Sequence, residues 1–310
     1  MKQKILTNTI AVALIAMLCC ALWGSAFPCI KIGYEMFGIN NSDTVTQILF
    51  AGIRFALAGV MVIIYGSISG RKVMCPKKKE WWRVIILSLF QTIYQYVFFY
   101  IGLAHTSGVK ASIIIGSNVF IAIFATCFVF KQEKFSITKL VGCIIGFVGV
   151  IIINVAGVGI DMGFSLLGEG FIFLAATSYA ISSALIKKFS TTSNTIMLSG
   201  YQFLFGGVVM SIAGILFGGR IKITNTEQLL MLLYLALISA VAYSLWTVLL
   251  KYNTVSKVSV FGFMNPVWGV VLSTVLLNEG KDIFSASSVV SLALVCVGII
   301  VVNLNKDLTC

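Results

Sequence analysis

The chain reads as an all-α integral membrane protein with ten transmembrane helices, arranged as two inverted five-helix repeats over residues 1–160 and 161–310. Three observations lead there. Ten stretches of at least sixteen residues lack any Asp, Glu, Lys or Arg; Lys and Arg crowd into alternate connections; and the second half repeats the first at an offset near 150 residues. A helix rises about 1.5 Å per residue, so about 20 apolar residues cross a hydrocarbon core of about 30 Å. With 59% hydrophobic and 10% charged residues and a mean hydropathy of +1.03, too little polar surface remains to coat a water-soluble body.

The first stretch, residues 5–30, is too long for the apolar core of a signal peptide and lacks a small-residue cleavage site, so it is expected to be retained as a span. Pro28 is expected to break that span and free carbonyls. The second, 55–70, follows Arg54. The third, 84–109, carries Gln91, Tyr94, Gln95 and Phe98 at i, i+3, i+4 and i+7, which places two amides and two rings on one helix face. Asn118 lies in the fourth, 111–130, and a GxxxG step of Gly142, Gly146 and Gly149 in the fifth, 140–160. The sixth, 170–186, carries Tyr179, and the seventh, 189–219, carries Gly200, Gly206, Gly207, Ser211 and Gly214. Small residues of this kind let helices approach closely. Tyr243, Trp246 and Thr247 stripe the eighth, 228–250; Asn265 sits beside Pro266 in the ninth, 258–278; and the tenth, 283–305, contains Gly298. The longest gap, from Gly70 to Arg83, holds a turn or a short surface helix and leaves no room for an extramembrane catalytic or nucleic-acid module.

The net charge of +12 has a membrane explanation. With the N-terminus in the cytoplasm, sixteen of the 22 Lys and Arg fall in cytoplasmic segments, among them Lys2, Lys4, Arg71, Lys72, Lys77, Lys78, Lys79, Arg83 and Lys306, while Lys110, Arg220, Lys222 and Lys281 fall outside. That asymmetry follows the positive-inside rule and puts both termini in the cytoplasm of a bacterial cytoplasmic membrane. The basic run at 71–83 reads as a topology signal beside anionic headgroups rather than a nucleic-acid site. Eight cysteines, at 19, 20, 29, 75, 127, 143, 296 and 310, show no CxxC and no neighbouring His, so they read as reduced packing residues. No metal and no cofactor is expected.

Internal similarity fixes the layout. VKASIIIGSNVFIAIF at 109–124 lies over SKVSVFGFMNPVWGVV at 256–271, which pairs Lys110 with Lys257 and Asn118 with Asn265. RFALAGV at 54–60 lies over QFLFGGV at 202–208, and Trp23 over Tyr179. Five spans per half force the second half to enter from the opposite side, and inverted repeats of this kind place a site near the midplane of an alternating-access carrier. At this point the chain resembles the drug/metabolite transporter superfamily, specifically its EamA-type ten-span carriers. The resemblance rests on Trp23, Gly24 and Lys31 in the first span, Arg54, Phe55 and Gly59 in the second, Asn265 and Pro266 in the ninth, Glu279, and the glycine-rich fifth and tenth spans. The chain departs from the family pattern at Val119, where a proline is usual, and at Gln202, where an Arg is usual.

Polar groups inside a membrane are costly and face a cavity or a neighbouring helix. Trp23, Gln91, Tyr94, Gln95, Asn118, Tyr179, Tyr243, Trp246 and Asn265 are the candidate substrate-binding residues, with interhelical packing as the alternative for each stripe. Tyr94→Ala, Gln95→Ala and Asn118→Ala are expected to abolish transport. Arg54 and Lys31 either hold a substrate carboxylate or, the favoured reading, snorkel to the outer interface or pair with Glu35 or Asp43. Glu133, Glu169 and Glu279 are expected as wet helix-end markers, and His105 as a solvated loop residue. The solute expected is a small organic metabolite, an amino acid or related amphiphile, exported by resemblance. No midplane acid offers a proton relay, which points to facilitated or loosely coupled exchange. A channel or lipid flippase is the first alternative; an intramembrane enzyme lacks the required cluster of His and acids. The partners are this solute and the lipid bilayer, and a weak homo-oligomer is open beside a monomer.

Overall fold

The structure, a computed structural model, describes residues 2–40, 42–106, 108–155, 163–277 and 286–304. Glu279, Lys281, Lys306, Cys310 and the repeat boundary at 160 lie outside them. Every regular element described is helical, and ten helices are long and apolar enough to cross a membrane: α1 (Thr9–Phe37), α2 (Thr44–Ser69), α3 (Lys78–Ala104), α4 (Lys110–Val129), α5 (Ile137–Val155), α6 (Leu166–Phe189), α7 (Thr195–Leu216), α8 (Thr226–Tyr252), α9 (Val255–Leu272) and α10 (Ser287–Leu304).

Polar residues between the apolar stretches set where helices begin. Asn8 accepts hydrogen bonds from the amides of Ile10 and Ala11 at 3.0 and 3.2 Å. Asp43 accepts from Thr46 at 2.9 Å, Asn194 from Ile196 at 2.9 Å, and Asn225 from Gln228 at 2.8 Å. Each satisfies amides that the first helical turn leaves open. Gly38 ends α1 with φ +64°, a left-handed geometry that glycine adopts without strain. Because caps rather than charges set the boundaries, α1 runs on past Lys31 and Glu35, and α2 starts well before Arg54. Pro28 does not break α1, contrary to expectation; the helix is continuous through it. Packing of α1 along both α8 and α9 holds the helix across the missing hydrogen bond.

The strongest crossings join elements that the sequence offset relates. Backbones of α2 and α7 nearly touch: a Cβ added to Gly207 would lie 2.2 Å from the Ala56 nitrogen, and one added to Gly59 would lie 2.4 Å from that of Leu204. The α5–α10 crossing works alike, with Gly298 against Gly142 and Gly146, and Ser291 Oγ donating to the Gly149 carbonyl at 2.7 Å. Packing is also matched under exchange of halves. α1 lies on α8 and α9, while α6 lies on α3 and α4; α8 packs on α2, while α3 packs on α7.

Four helices leave α-geometry in their interiors or at their ends. π-Helical turns occupy Leu89–Tyr94 in α3, Ala125–Val129 in α4 and Leu166–Gly170 at the start of α6. α4 is interrupted at Ser117, immediately before Asn118, and α9 tightens into a 3-10 turn over Val260–Phe263, just ahead of Asn265 and Pro266. Pro266 supplies no amide hydrogen, which accounts for the second irregularity. Val119 in the equivalent position of α4 does not restore a continuous helix.

Candidate functional site

Aromatic side chains from both halves meet at the centre of the bundle. Phe55 of α2 stacks on its repeat counterpart Phe203 of α7, with ring centroids 5.4 Å apart and planes 8° apart. Tyr243 of α8 packs edge-on against Phe203 at 4.9 Å and against Trp23 of α1 at 4.9 Å, and Trp23 meets Trp246 at 5.0 Å. Tyr96 of α3 lies 4.5 Å from the Phe55 ring and shares a 2.7 Å hydroxyl–hydroxyl hydrogen bond with Tyr243. Tyr34, Tyr100 and Tyr179 complete this cluster. Offset and edge-on ring pairs of this kind add about 0.5–1.5 kcal/mol each beyond simple burial.

Of the candidates named from sequence, Trp23, Tyr179, Tyr243 and Trp246 lie together here, and Gln95 comes within interaction range of the Tyr243 hydroxyl. Gln91 is 1% exposed. Tyr94 is not part of the cluster: it is 40% exposed, between Phe90 and Phe98 at 5.8 Å each. The π turn explains the split. It widens the helical repeat at Gln91 and Tyr94, so the single face drawn with a 3.6-residue period becomes an inward amide pair and an outward ring pair. Asn118 starts the part of α4, Asn118–Phe124, that crosses α9 over Val255–Phe263, where a Cβ on Gly262 would stand 3.9 Å from Val119; Asn265 lies just beyond that crossing, its Oδ1 buried without a partner. Thr247 is engaged in packing, donating to the Tyr243 carbonyl and accepting from Ser199.

Sequence reasoning passed over Tyr96, and over Phe55 and Phe203 as site residues, and gave Arg54 a substrate carboxylate only as the less favoured reading. Arg54 is 3% exposed, with its guanidinium carbon 4.5 Å from the Phe55 ring centroid and 5.8 Å from that of Tyr96. It neither snorkels nor pairs with Asp43, which caps α2, and Glu35 is exposed. Spans drawn as charge-free stretches put every charge outside by construction; the Asp43 cap signal was the clue that α2 begins upstream of Arg54. Lys31, by contrast, is exposed.

Both ends of the bundle are fastened between halves. At the end where Asn253 donates to the Leu6 carbonyl, the Glu133 carboxylate after α4 accepts from the Val255 amide and from the Ser256 hydroxyl and amide at the start of α9. It also pairs with Lys139 at 3.3 Å. Lys187 of α6 donates to the Lys251 and Asn253 carbonyls at 3.2 and 2.6 Å. At the opposite end Glu169 of α6 pairs with Lys110 at 3.2 Å and accepts from Thr106 at 2.5 Å. Glu133 and Glu169 are therefore 8% and 9% exposed clasp residues rather than wet helix-end markers; helix-terminal amides and a neighbouring ammonium hold each charge. His105 is exposed and lines a cavity of about 450 Å³ beside the Glu169 clasp. The described cysteines form no disulfide with one another: Cys19, Cys20, Cys29 and Cys143 are buried, Cys127 is half-buried, and Cys75 and Cys296 are exposed.

A bundle of ten membrane-spanning helices closed over a buried centre of rings, amides and one cation defines a polytopic membrane transporter. The chain belongs to the EamA-like transporter family, which it matches over residues 10–155 and 166–304. It is similar to the uncharacterized transporter YvbV of Bacillus subtilis, 26% identical over 98% of this chain and 94% of that one. It also resembles a WAT1-related chloroplastic protein of Arabidopsis thaliana, 27% identical over 91% of this chain and 66% of that protein. The Escherichia coli protein named uncharacterized inner membrane transporter YedA is 24% identical over 93% and 89%. A crystal structure of another protein superposes with a TM-score of 0.76 at 18% identity, covering 96% of this chain and 98% of that one, which shows the same fold. The family and the two bacterial relatives are transporters by name, not enzymes.

Proposed function

We propose that the protein is an alternating-access carrier of a small amphiphilic metabolite, an amino acid or related compound, working outward across a cytoplasmic membrane with both termini inside. The observation that carries this reading is the matched packing of the halves around one central cluster, with equivalent Phe55 and Phe203 stacked where they meet. Two related halves give a body two related open states. The inter-half clasps at Glu133 and Glu169 are closed together, and the centre is buried, with Trp246 1% and Tyr243 4% exposed. An occluded state of this kind suits a carrier better than a channel. The N-terminal end carries Lys4, Lys131, Lys139, Lys187 and Lys251, which supports a cytoplasmic assignment for that end.

A ring-rich cavity supplies affinity through apolar contact, while a few polar groups orient the solute. Purified protein in liposomes preloaded with candidate metabolites tests this reading. Saturable counterflow that is lost in Gln95→Ala or Asn118→Ala is expected, and high single-channel conductance would replace the carrier by a pore.

A further inference from the structure

Arg54 is a buried cation without a counter-ion among the described residues. About 15 Å along α2 from Thr44, at about 1.5 Å per residue, it stands near the middle of a hydrocarbon core of about 30 Å. A guanidinium cannot shed its charge in a protein. Among the described residues the close ion pairs are Lys110–Glu169 and Lys139–Glu133, at the ends of the bundle, and the Arg54 Nε has no hydrogen-bond acceptor. The faces of Phe55 and Tyr96 recover only part of the cost of taking this cation out of water.

A second observation points the same way. Trp23 Nε1, Trp246 Nε1, Gln91 Nε2 and Gln202 Nε2, on the helices that build the ring cluster, are also buried without partners, against one such acceptor beside Tyr243, Gln95 Oε1. Indole and amide nitrogens can only donate. An interior that offers unmet donors around one fixed positive charge complements a group that only accepts, which is what a carboxylate does. The charge count sets the valence. The repeat counterpart of Arg54 is Gln202, which is fully buried, accepts from Thr92 at 2.7 Å and brings no charge. The residues that precede the stacked Phe55 and Phe203 are thus one cation and one neutral amide.

We infer that Arg54 anchors the carboxylate of a small organic monocarboxylate whose apolar body packs among Trp23, Phe55, Tyr96, Phe203 and Tyr243. The inference deepens the carrier reading and rests on it for the claim that the bound acid is carried. An α-amino group is tolerated but not required, because no described acid faces the cluster.

The test uses the detergent-purified full chain, heated with compounds of matched shape: 3-phenylpropanoate, its amide, L-phenylalanine and the dicarboxylate phenylsuccinate. A ligand that binds only the folded form raises its Tm. The monocarboxylates raise Tm by several degrees, about 2–4 °C per kcal/mol of binding for chains of this order; the amide does not, and the dicarboxylate is weaker. Arg54→Gln lowers acid affinity at least about tenfold, while its unliganded Tm holds or rises, since an uncompensated charge has gone. Should that variant fail to fold, Arg54→Lys carries the test, with acid binding weakened by loss of the planar fork. Equal stabilisation by acid and amide, no shift with any acid, or wild-type acid affinity in the foldable variant would overturn the anchor. Flux in liposomes separates the two readings. Movement of the amide without the acid leaves a carrier and removes the anchor; Arg54-dependent binding with no flux leaves the anchor and removes the carrier.

Discussion

Tyr94 and Tyr96 are two residues apart in α3, yet one faces outward and the other bonds Tyr243 across the centre. Single-residue chemistry therefore depends on which way a locally widened helix turns. Tyr94→Ala is expected to keep counterflow within about twofold of wild type, since loss of an exposed ring touches no part of the cluster and surface changes usually cost under about 0.5 kcal/mol. Tyr96→Phe removes one partner of the 2.7 Å hydroxyl pair, and a lost buried hydrogen bond of this kind costs about 1 kcal/mol. Counterflow in liposomes checks the first and a Tm scan of both variants the second, and a lower Tm for Tyr94→Ala than for Tyr96→Phe would contradict the placement. The sequence offered the right residue types in α3 but not their facing, because a 3.6-residue period was assumed through a segment whose backbone does not follow it.

Elements in this fold are positioned by close approach at glycine and by carboxylates at helix starts. Gly207→Val forces a branched side chain into the Ala56 backbone, where even a Cβ would stand 2.2 Å from nitrogen. Overpacking of this sort costs about 1–3 kcal/mol, and here the contact is backbone, which cannot rotate away. The expected outcome is a clear fall in Tm, with Gly218→Val, in open space but at φ +97°, losing less. At the N-terminal end, Glu133→Gln strips the charge that Lys139 and the α9 amides share. Breaking one side of a buried pair costs about 3–5 kcal/mol, whereas replacing both sides can be nearly neutral. Glu133→Gln is therefore expected to be much less stable than Glu133→Gln combined with Lys139→Met, a difference readable by thermal unfolding in detergent. The small-residue stripes of α5 and α7 were legible in sequence as contact faces. The clasps were not: Glu133 and Ser256 are far apart in the chain and meet only when α4 and α9 come together.

At the scale of the whole molecule, both chain ends are expected on one face, because ten crossings return the chain to its starting side. Reporter fusions at the two termini that light up on opposite sides of the membrane would remove that topology.

The number of spans, their order and the kinship of the halves were set by the sequence alone, because the length of an apolar run against a bilayer of fixed thickness leaves few options. Where each helix begins followed from local caps such as Asp43 and Asn194, also readable from the chain. Only the tertiary structure decided that Arg54 lies among rings with no ion pair to a described residue, that Tyr94 faces away, and that Glu133 and Glu169 fasten the two ends. Each of these depends on which helix faces arrive opposite one another, and an aliphatic surface that is apolar nearly all round carries no periodic mark of the side it will present.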